Sequence, residues 1–220
     1  MKKSQNIPFN IGEINFSINN KRSRGTASLI KGENNVLIST AGHCIYDWEN
    51  KKIYNDIFLK FQGKKILIKE VILHKGWTED AIVDYDTAFL VPDYTLLNKL
   101  KMDPLTPLFN YSYTTDCHIL GFENKLFKSS FKHKLVATFK DHIYNSNLIG
   151  ATIKFKSGVS GGPWIREHNQ EKYQIANTSL SFKEHKNILW GAYWGNEIKK
   201  MYSVANGSNF FTDNIIKITL

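Results

Sequence analysis

Short apolar runs separated by turn-forming residues dominate this chain. Residues 25–30 and 36–40 are apolar or β-branched and flank Lys31-Gly32-Glu33-Asn34-Asn35, which predicts a hairpin. Residues 57–61 and 65–68 repeat the device around Gln62-Gly63-Lys64. Further strands are predicted at 87–91, 117–120, 134–139, 149–155, 173–179 and 188–193. A helical period stands out over residues 197–204, where Ile198, Met201, Tyr202 and Ala205 share a face and Asn196 is placed to cap the first turn. Many short strands with little helix indicate an all-β sandwich or a pair of barrels. No repeat or low-complexity tract interrupts the pattern. Asp103-Pro104-Leu105-Thr106-Pro107 is the natural place to divide it, giving an N-terminal half, 1–105, and a C-terminal half, 106–220.

Composition narrows the function classes. The 220 residues are 42% hydrophobic and 22% charged, which excludes wholesale disorder and leaves enough length to bury a core. No apolar run approaches the roughly 18 residues that would suggest a membrane span. Residues 1–6 have a basic lead without an apolar run behind it, so no intact secretory signal is read there. The net charge is +9, but the cations are 26 Lys and only 3 Arg, scattered along the chain. Nucleic-acid sites cluster Arg and Lys, so a nucleic-acid partner is not expected. The Lys excess together with 21 Asn has the look of an AT-rich coding sequence and favours a bacterial source.

Three motifs carry chemistry. Thr40-Ala41-Gly42-His43-Cys44 follows a predicted strand, Tyr85-Asp86-Thr87-Ala88-Phe89-Leu90 opens one, and Gly158-Val159-Ser160-Gly161-Gly162-Pro163 follows another. Glycines around Ser160 let a substrate carbonyl approach main-chain N–H groups, so Gly158 and Ser160 can together face a developing oxyanion. A serine hydroxyl needs a base that titrates near neutrality, and His43 supplies one. An ionised Asp86 would hold the imidazole in the useful tautomer and stabilise its cation. Asp84 is a near rival, but only Asp86 is followed directly by the apolar strand. A Ser-Gly-Gly-Pro tetrad should arise by chance in well under about 1% of chains of this length.

On these motifs the sequence resembles the chymotrypsin-fold (trypsin-like) serine peptidases, and within them the bacterial V8-like, or glutamyl-endopeptidase-like, branch. The order His43, Asp86, Ser160 is the order of that family. Trp190-Gly191-Ala192-Tyr193-Trp194-Gly195, with the helix after it, resembles the branch's last strand and terminal helix. The resemblance covers roughly residues 22–205. It implies two six-stranded antiparallel β-barrels with a C-terminal helix, His43 and Asp86 on the first barrel and Ser160 on the second. It implies a serine endopeptidase working through an acyl-enzyme, with no cofactor. A catalytically silent binding scaffold on the same fold is the alternative.

Departures from the pattern shape the rest. Val159 stands where trypsin-like relatives carry the Asp that pairs with a new N-terminus, so that activation switch is not expected. The oxyanion hole is then either preformed or ordered by substrate or partner. Cys44 and Cys117 would each pair elsewhere in disulfide-bearing relatives, and no other cysteine is present, so both are expected to be free thiols. Unbridged thiols and the missing signal point to the cytoplasm, with a secreted enzyme whose signal is absent from this chain as the alternative. A cytoplasmic protease implies narrow protein-substrate specificity or an activating protein partner. By resemblance, Lys154 and Phe155 form one side of the primary pocket, and Ser179 and Ser181 offer main-chain groups to an extended peptide substrate. Lys154 disfavours cleavage after Arg or Lys, and Thr178 stands where glutamate-specific relatives place a His. Lys125, Lys128, Lys132, Lys134 and Lys140 interleave with Leu126, Phe127, Phe131, Leu135 and Phe139, which reads as a hairpin with a solvated, lysine-rich face, with docking to an anionic surface of a substrate protein or a membrane as the alternative. Neither a His-Glu-x-x-His nor a Cys-x-x-Cys is present, and no acidic calcium loop, so no metal is expected.

Overall fold

In the computed structural model, which describes residues 8, 10–19, 21–125, 129–208 and 213–220, the predicted strands, joined by two unpredicted ones at Ile11–Ile18 and Pro163–His168, close into two antiparallel six-stranded barrels. The first contains β1 (Ile11–Ile18), β2 (Lys21–Lys31), β3 (Val36–Thr40), β6 (Asn55–Phe61), β7 (Lys64–His74) and β8 (Ala88–Pro92). The two-residue strands β4 (Tyr46–Asp47) and β5 (Lys52–Ile53) form a separate ribbon in the loop after β3. The order β6-β1-β2-β3-β8 is closed by β7, which pairs with both β6 and β8. Phe61 pairs with Lys64 across Gln62 and Gly63, whose φ values of 48° and 74° make the tight turn that keeps the twist of its strands.

Short helices α1 (Lys75–Thr78) and α2 (Tyr94–Leu97) flank β8, and β9 (Thr106–Pro107) begins the second half. The second barrel contains β10 (Asp116–Asn124), β11 (Ser129–Lys140), β12 (Leu148–Thr152), β13 (Pro163–His168), β14 (Glu171–Leu180) and β15 (Ile188–Tyr193). Its order, β13-β10-β11-β12-β15-β14, is closed by β13 on β14. Helix α3 (Asn196–Ala205) follows, and β16 (Ile215–Thr219) returns to pair with β7 of the first barrel.

Three apolar clusters hold this together. One fills the first barrel around Ile14, Leu29, Leu59 and Val71, and one fills the second around Cys117, Ile149, Trp164 and Ile175. The third joins the barrels: Ile30 and Phe89 meet Leu120 and Phe122 beneath Trp194, Ile198 and Met201. Burial of such side chains contributes about 1.5–3 kcal/mol each, which explains why α3 presents Ile198, Met201 and Ala205 inward. Gly195, not Asn196, caps α3: Asn196 is its first residue, and its side-chain oxygen accepts from Asn110 Nδ2 at 2.8 Å.

Cys44 and Cys117 are buried and unbridged. Lys134 and Lys140 lie on the exposed part of β11, with Leu135 60% exposed, so the described part of the basic stretch is a solvated face. Leu126, Phe127 and Lys128 lie outside the described residues, as do residues 1–7. Among the described residues no helix is long and apolar enough to cross a membrane.

Candidate active site

His43 sits in a single 3-10 turn, Gly42–Cys44, directly after β3. Asp86 ends another such turn, Val83–Tyr85, just before β8. Because β3 and β8 are neighbours, with Thr40 paired to Ala88, both turns leave the same end of the first barrel. The Asp86 carboxylate is fully buried. Its Oδ1 accepts the His43 backbone N–H at 2.8 Å and its Oδ2 faces His43 Nδ1 at 2.7 Å. The Ser179 hydroxyl donates to the same Oδ2. A bulge in β14 turns that hydroxyl inward, since the register against β15 slips between Thr178 and Leu180.

These contacts set the charges. Burial alone would lower the His43 pKa, but the buried Asp86 anion beside it, with Cys44 adding in the same direction, holds it well above the ordinary imidazole value. Burial alone would raise the Asp86 pKa. The adjacent imidazole and the bonds from His43 and Ser179 outweigh it and hold the carboxyl below the usual range. The His43 side chain is 34% exposed, so the ring is not sealed from solvent. Asp84, the rival carboxylate, points elsewhere: it accepts from the backbone and side-chain nitrogens of Asn147 at 3.1 Å.

Ser160 is half-buried in the loop between β12 and β13. Gly158 has φ +100°, and a Cβ there would stand 2.6 Å from the Phe122 carbonyl; Gly161 has φ +82°, and a Cβ there would stand 2.2 Å from the Thr26 carbonyl. Both positions therefore exclude other residues. The Ser157 carbonyl accepts from the Asn124 backbone N–H at 2.8 Å. The intervening peptide is trans, so the Gly158 N–H points away from Asn124. Val159 is buried with its side chain seated on Gly121, which fixes this orientation by packing, with no ion pair.

Sequence reasoning missed how the serine loop is anchored. Thr26 of β2, wholly buried, donates its N–H to the Ser160 carbonyl at 2.7 Å and its hydroxyl to the Gly158 carbonyl at 2.9 Å. The same hydroxyl accepts from the Phe122 N–H at 2.8 Å. Cys44 Sγ reaches the Ser160 carbonyl at 3.9 Å, so the turn that carries His43 touches the loop that carries Ser160. Asn177 is a second missed residue. Its Nδ2 donates to the Asp86 carbonyl at 3.0 Å, and its Oδ1 accepts from Thr87 Oγ1 at 2.6 Å and Trp194 Nε1 at 3.1 Å. A threonine in an apolar strand and an asparagine among β-branched neighbours carry no motif, so only the assembled barrels reveal them.

Thr26→Val keeps the shape and removes the hydroxyl, leaving the Gly158 carbonyl and the Phe122 N–H without that partner. The expected result is a loss of about 1–3 kcal/mol in stability. A kcat about tenfold lower should accompany it, equivalent to ~1.4 kcal/mol. Thr26→Ser should restore both, as read by thermal melting and by kcat at saturating peptide.

The residues expected to meet substrate are less gathered. Lys154 is exposed, Phe155 half-buried against the second-barrel cluster, and Ser181 exposed just past the end of β14. His43 also lines a cleft of about 400 Å³ with Tyr46, Trp48, Tyr54 and Trp77, and sequence reasoning did not find it.

Comparison with known proteins agrees with this architecture. A family model described as Trypsin matches residues 5–194. The protease Anisep from Arthrobacter nicotinovorans superposes with a TM-score of 0.80 at 22% identity, covering 93% of this chain and 99% of that one. A Glu endopeptidase superposes with a TM-score of 0.73 at 19% identity, over 94% and 95%. A scabies mite inactivated protease paralogue does so at 0.69 and 14%, over 94% and 100%. No curated protein matches the sequence.

Proposed function

The chain belongs to the trypsin family, and from that premise we propose that it is an active serine endopeptidase with Ser160 as nucleophile, His43 as base and acid, and Asp86 as the group that orients the imidazole. The observation that carries the reading is the wholly buried Asp86, bonded to both the backbone and the ring of His43. A carboxylate buried at that cost is retained where it holds an imidazole in one tautomer, Nδ1–H toward the acid and the Nε2 lone pair outward.

In the proposed cycle Ser160 Oγ attacks the scissile carbonyl carbon while His43 Nε2 takes its proton. The negative charge on the carbonyl oxygen is met by the N–H groups of Gly158 and Ser160. The Asn124 bond to Ser157 supports a hole that stands ready before substrate arrives. His43 then gives its proton to the leaving amine, and the acyl-enzyme forms. Water attacks next, with His43 again taking and returning one proton, and the acid product leaves. The cleft beside His43 sets the rings of Tyr46, Trp48, Tyr54 and Trp77 against the polar Asp47, Glu49 and Asn50, and a shaped cleft there favours selective over broad cleavage.

Labelling with a fluorophosphonate probe, followed by peptide mass spectrometry, tests the reading. Modification confined to Ser160 and lost in Ser160→Ala supports it. Folded protein that stays unlabelled at probe concentrations that saturate other serine hydrolases overturns it in favour of a silent scaffold.

A further inference from the structure

Two histidines far from His43 face each other across the β10–β11 pair. The register sets His118 against Leu135 and Leu120 against His133, so the two are diagonal neighbours on one face of the sheet. His118 Nδ1 and His133 Nε2 stand 2.7 Å apart. The outer nitrogen of His118, Nε2, is 3.8 Å from Glu167 Oε2 on β13. Both imidazoles and Glu167 line a cavity of about 160 Å³ that also receives Asn10. Asn10 is 1% exposed, and its Oδ1 is buried without a hydrogen-bond partner among the described residues.

We propose that this pair is a binding site for a late first-row divalent cation, with zinc, copper(II) or nickel as the ions it would take. Two facing imidazole nitrogens with a carboxylate 3.8 Å behind one of them approach a carboxylate–histidine–metal arrangement, in which the rear acid, once closed to hydrogen-bond distance, orients the ring and raises its basicity. Without a cation, the short contact needs one facing nitrogen to be a donor and the other an acceptor. On binding, His133 changes to its Nδ1–H tautomer, both facing lone pairs turn to the cation, and His118 keeps its Nε2–H toward Glu167. No net proton is lost.

The geometry requires little movement. A tetrahedral cation with bonds of about 2.0–2.1 Å holds two nitrogens about 3.3 Å apart, so the 2.7 Å pair must open by about 0.6 Å, within the reach of side-chain torsions on two rigid strands. Among the described residues no three of His, Cys, Asp and Glu gather into a fuller set, so water takes the remaining positions. The cavity has room for it. Lys172 shares the lining but is exposed, and its flexible stem lets the ammonium turn to solvent. Nitrogen ligands select against calcium and magnesium. The site escapes motif reading because residues 15 apart in sequence are joined only by the strand register.

Isothermal titration of tag-free Ser160→Ala protein with zinc chloride, and separately with calcium and magnesium chloride, tests the proposal. One zinc site of micromolar affinity is expected, with no calcium or magnesium binding. His118→Ala and His133→Ala should each weaken zinc by at least tenfold, and Glu167→Gln by about tenfold through the lost rear acid. His168→Ala, an exposed histidine outside the cavity, should change nothing. Copper(II) bound to the otherwise unaltered chain should show hyperfine coupling to two imidazole nitrogens by electron paramagnetic resonance, a readout that does not depend on how the variants fold. Zinc binding weaker than millimolar, unchanged affinity in both histidine variants, or a copper signal without two nitrogens would overturn the proposal.

Discussion

Replacing Ser160 with alanine is expected to lower kcat toward a cleaved peptide by about 10⁶-fold, roughly 8 kcal/mol of transition-state stabilisation. The magnitude follows from the division of labour at the site. Without the hydroxyl no acyl-enzyme forms, and His43 and Asp86 have no nucleophile to serve. In the proposed cycle what remains is the pair of N–H groups at Gly158 and Ser160 and the binding cleft, which in such sites still leave about 10³-fold over water. The substitution should leave the fold alone. Thr26 holds the Ser160 backbone carbonyl, not its side chain, and Gly158 and Gly161 keep the conformations that the loop requires. Thermal melting within about 1 °C of the parent, with activity down to the assay floor, is the expected pair of readings. A variant that kept more than one hundredth of the activity would remove Ser160 from the role of nucleophile.

How far the sequence reached depended on which residues announce themselves. Hairpins with explicit turn residues were legible: the turn at Gln62-Gly63 and the β2–β3 hairpin stand where the pattern places them. β1 was missed although Ile14, Phe16 and Ile18 alternate with Asn15 and Ser17 at the period of a half-buried strand; Gly12 near its start weakened the signal. β13 was hidden by starting on Pro163, a position that tolerates proline only at a strand's first residue. The expected strand 149–155 ends early at Thr152, where the chain leaves the sheet and begins the approach to the serine loop. The pairing of β16 with β7 joins segments about 145 residues apart in sequence, and no local pattern encodes that.

The site divides the same way. His43 and Ser160 sit in motifs dense with glycine and small residues, because tight turns at strand ends demand them. The preference for Asp86 over Asp84 came from the apolar strand that follows, and Asp86 is the one that meets His43. Thr26, Asn177 and the hydroxyl of Ser179 act through bonds between the two barrels, so their sequence context is that of any buried strand residue. Ser179 was expected to serve substrate through its main chain; its side chain is given to Asp86.

Asp86→Asn is expected to cost about 10⁴-fold in kcat with KM little changed, the loss known for this exchange in the trypsin template. The amide is nearly isosteric, but it can offer His43 Nδ1 an N–H where the carboxylate offered a lone pair, and that favours the tautomer whose Nε2 carries the proton and cannot act as base. The pH profile separates this from simple damage. In the parent, His43 must be neutral to accept the Ser160 proton, so activity falls as pH drops through its raised folded pKa. Removing the anion removes the principal cause of the rise, so the acidic limb of the variant's residual activity should move to lower pH. Stability carries the complementary signs. Asp86 has a depressed folded pKa, so its contribution is present above the unfolded carboxyl pKa and lost as pH falls through the folded value. His43 contributes below the unfolded imidazole pKa and loses that contribution as pH rises through its folded value. The pair is therefore most stabilising in the window between the two unfolded values, and the parent's advantage over Asp86→Asn in thermal melts should peak there and shrink toward acid and toward alkali. A variant whose melting difference is flat across pH while activity is lost would assign Asp86 to packing alone, and the Ser179 and His43 bonds to its carboxylate would then have no electrostatic part in the reaction.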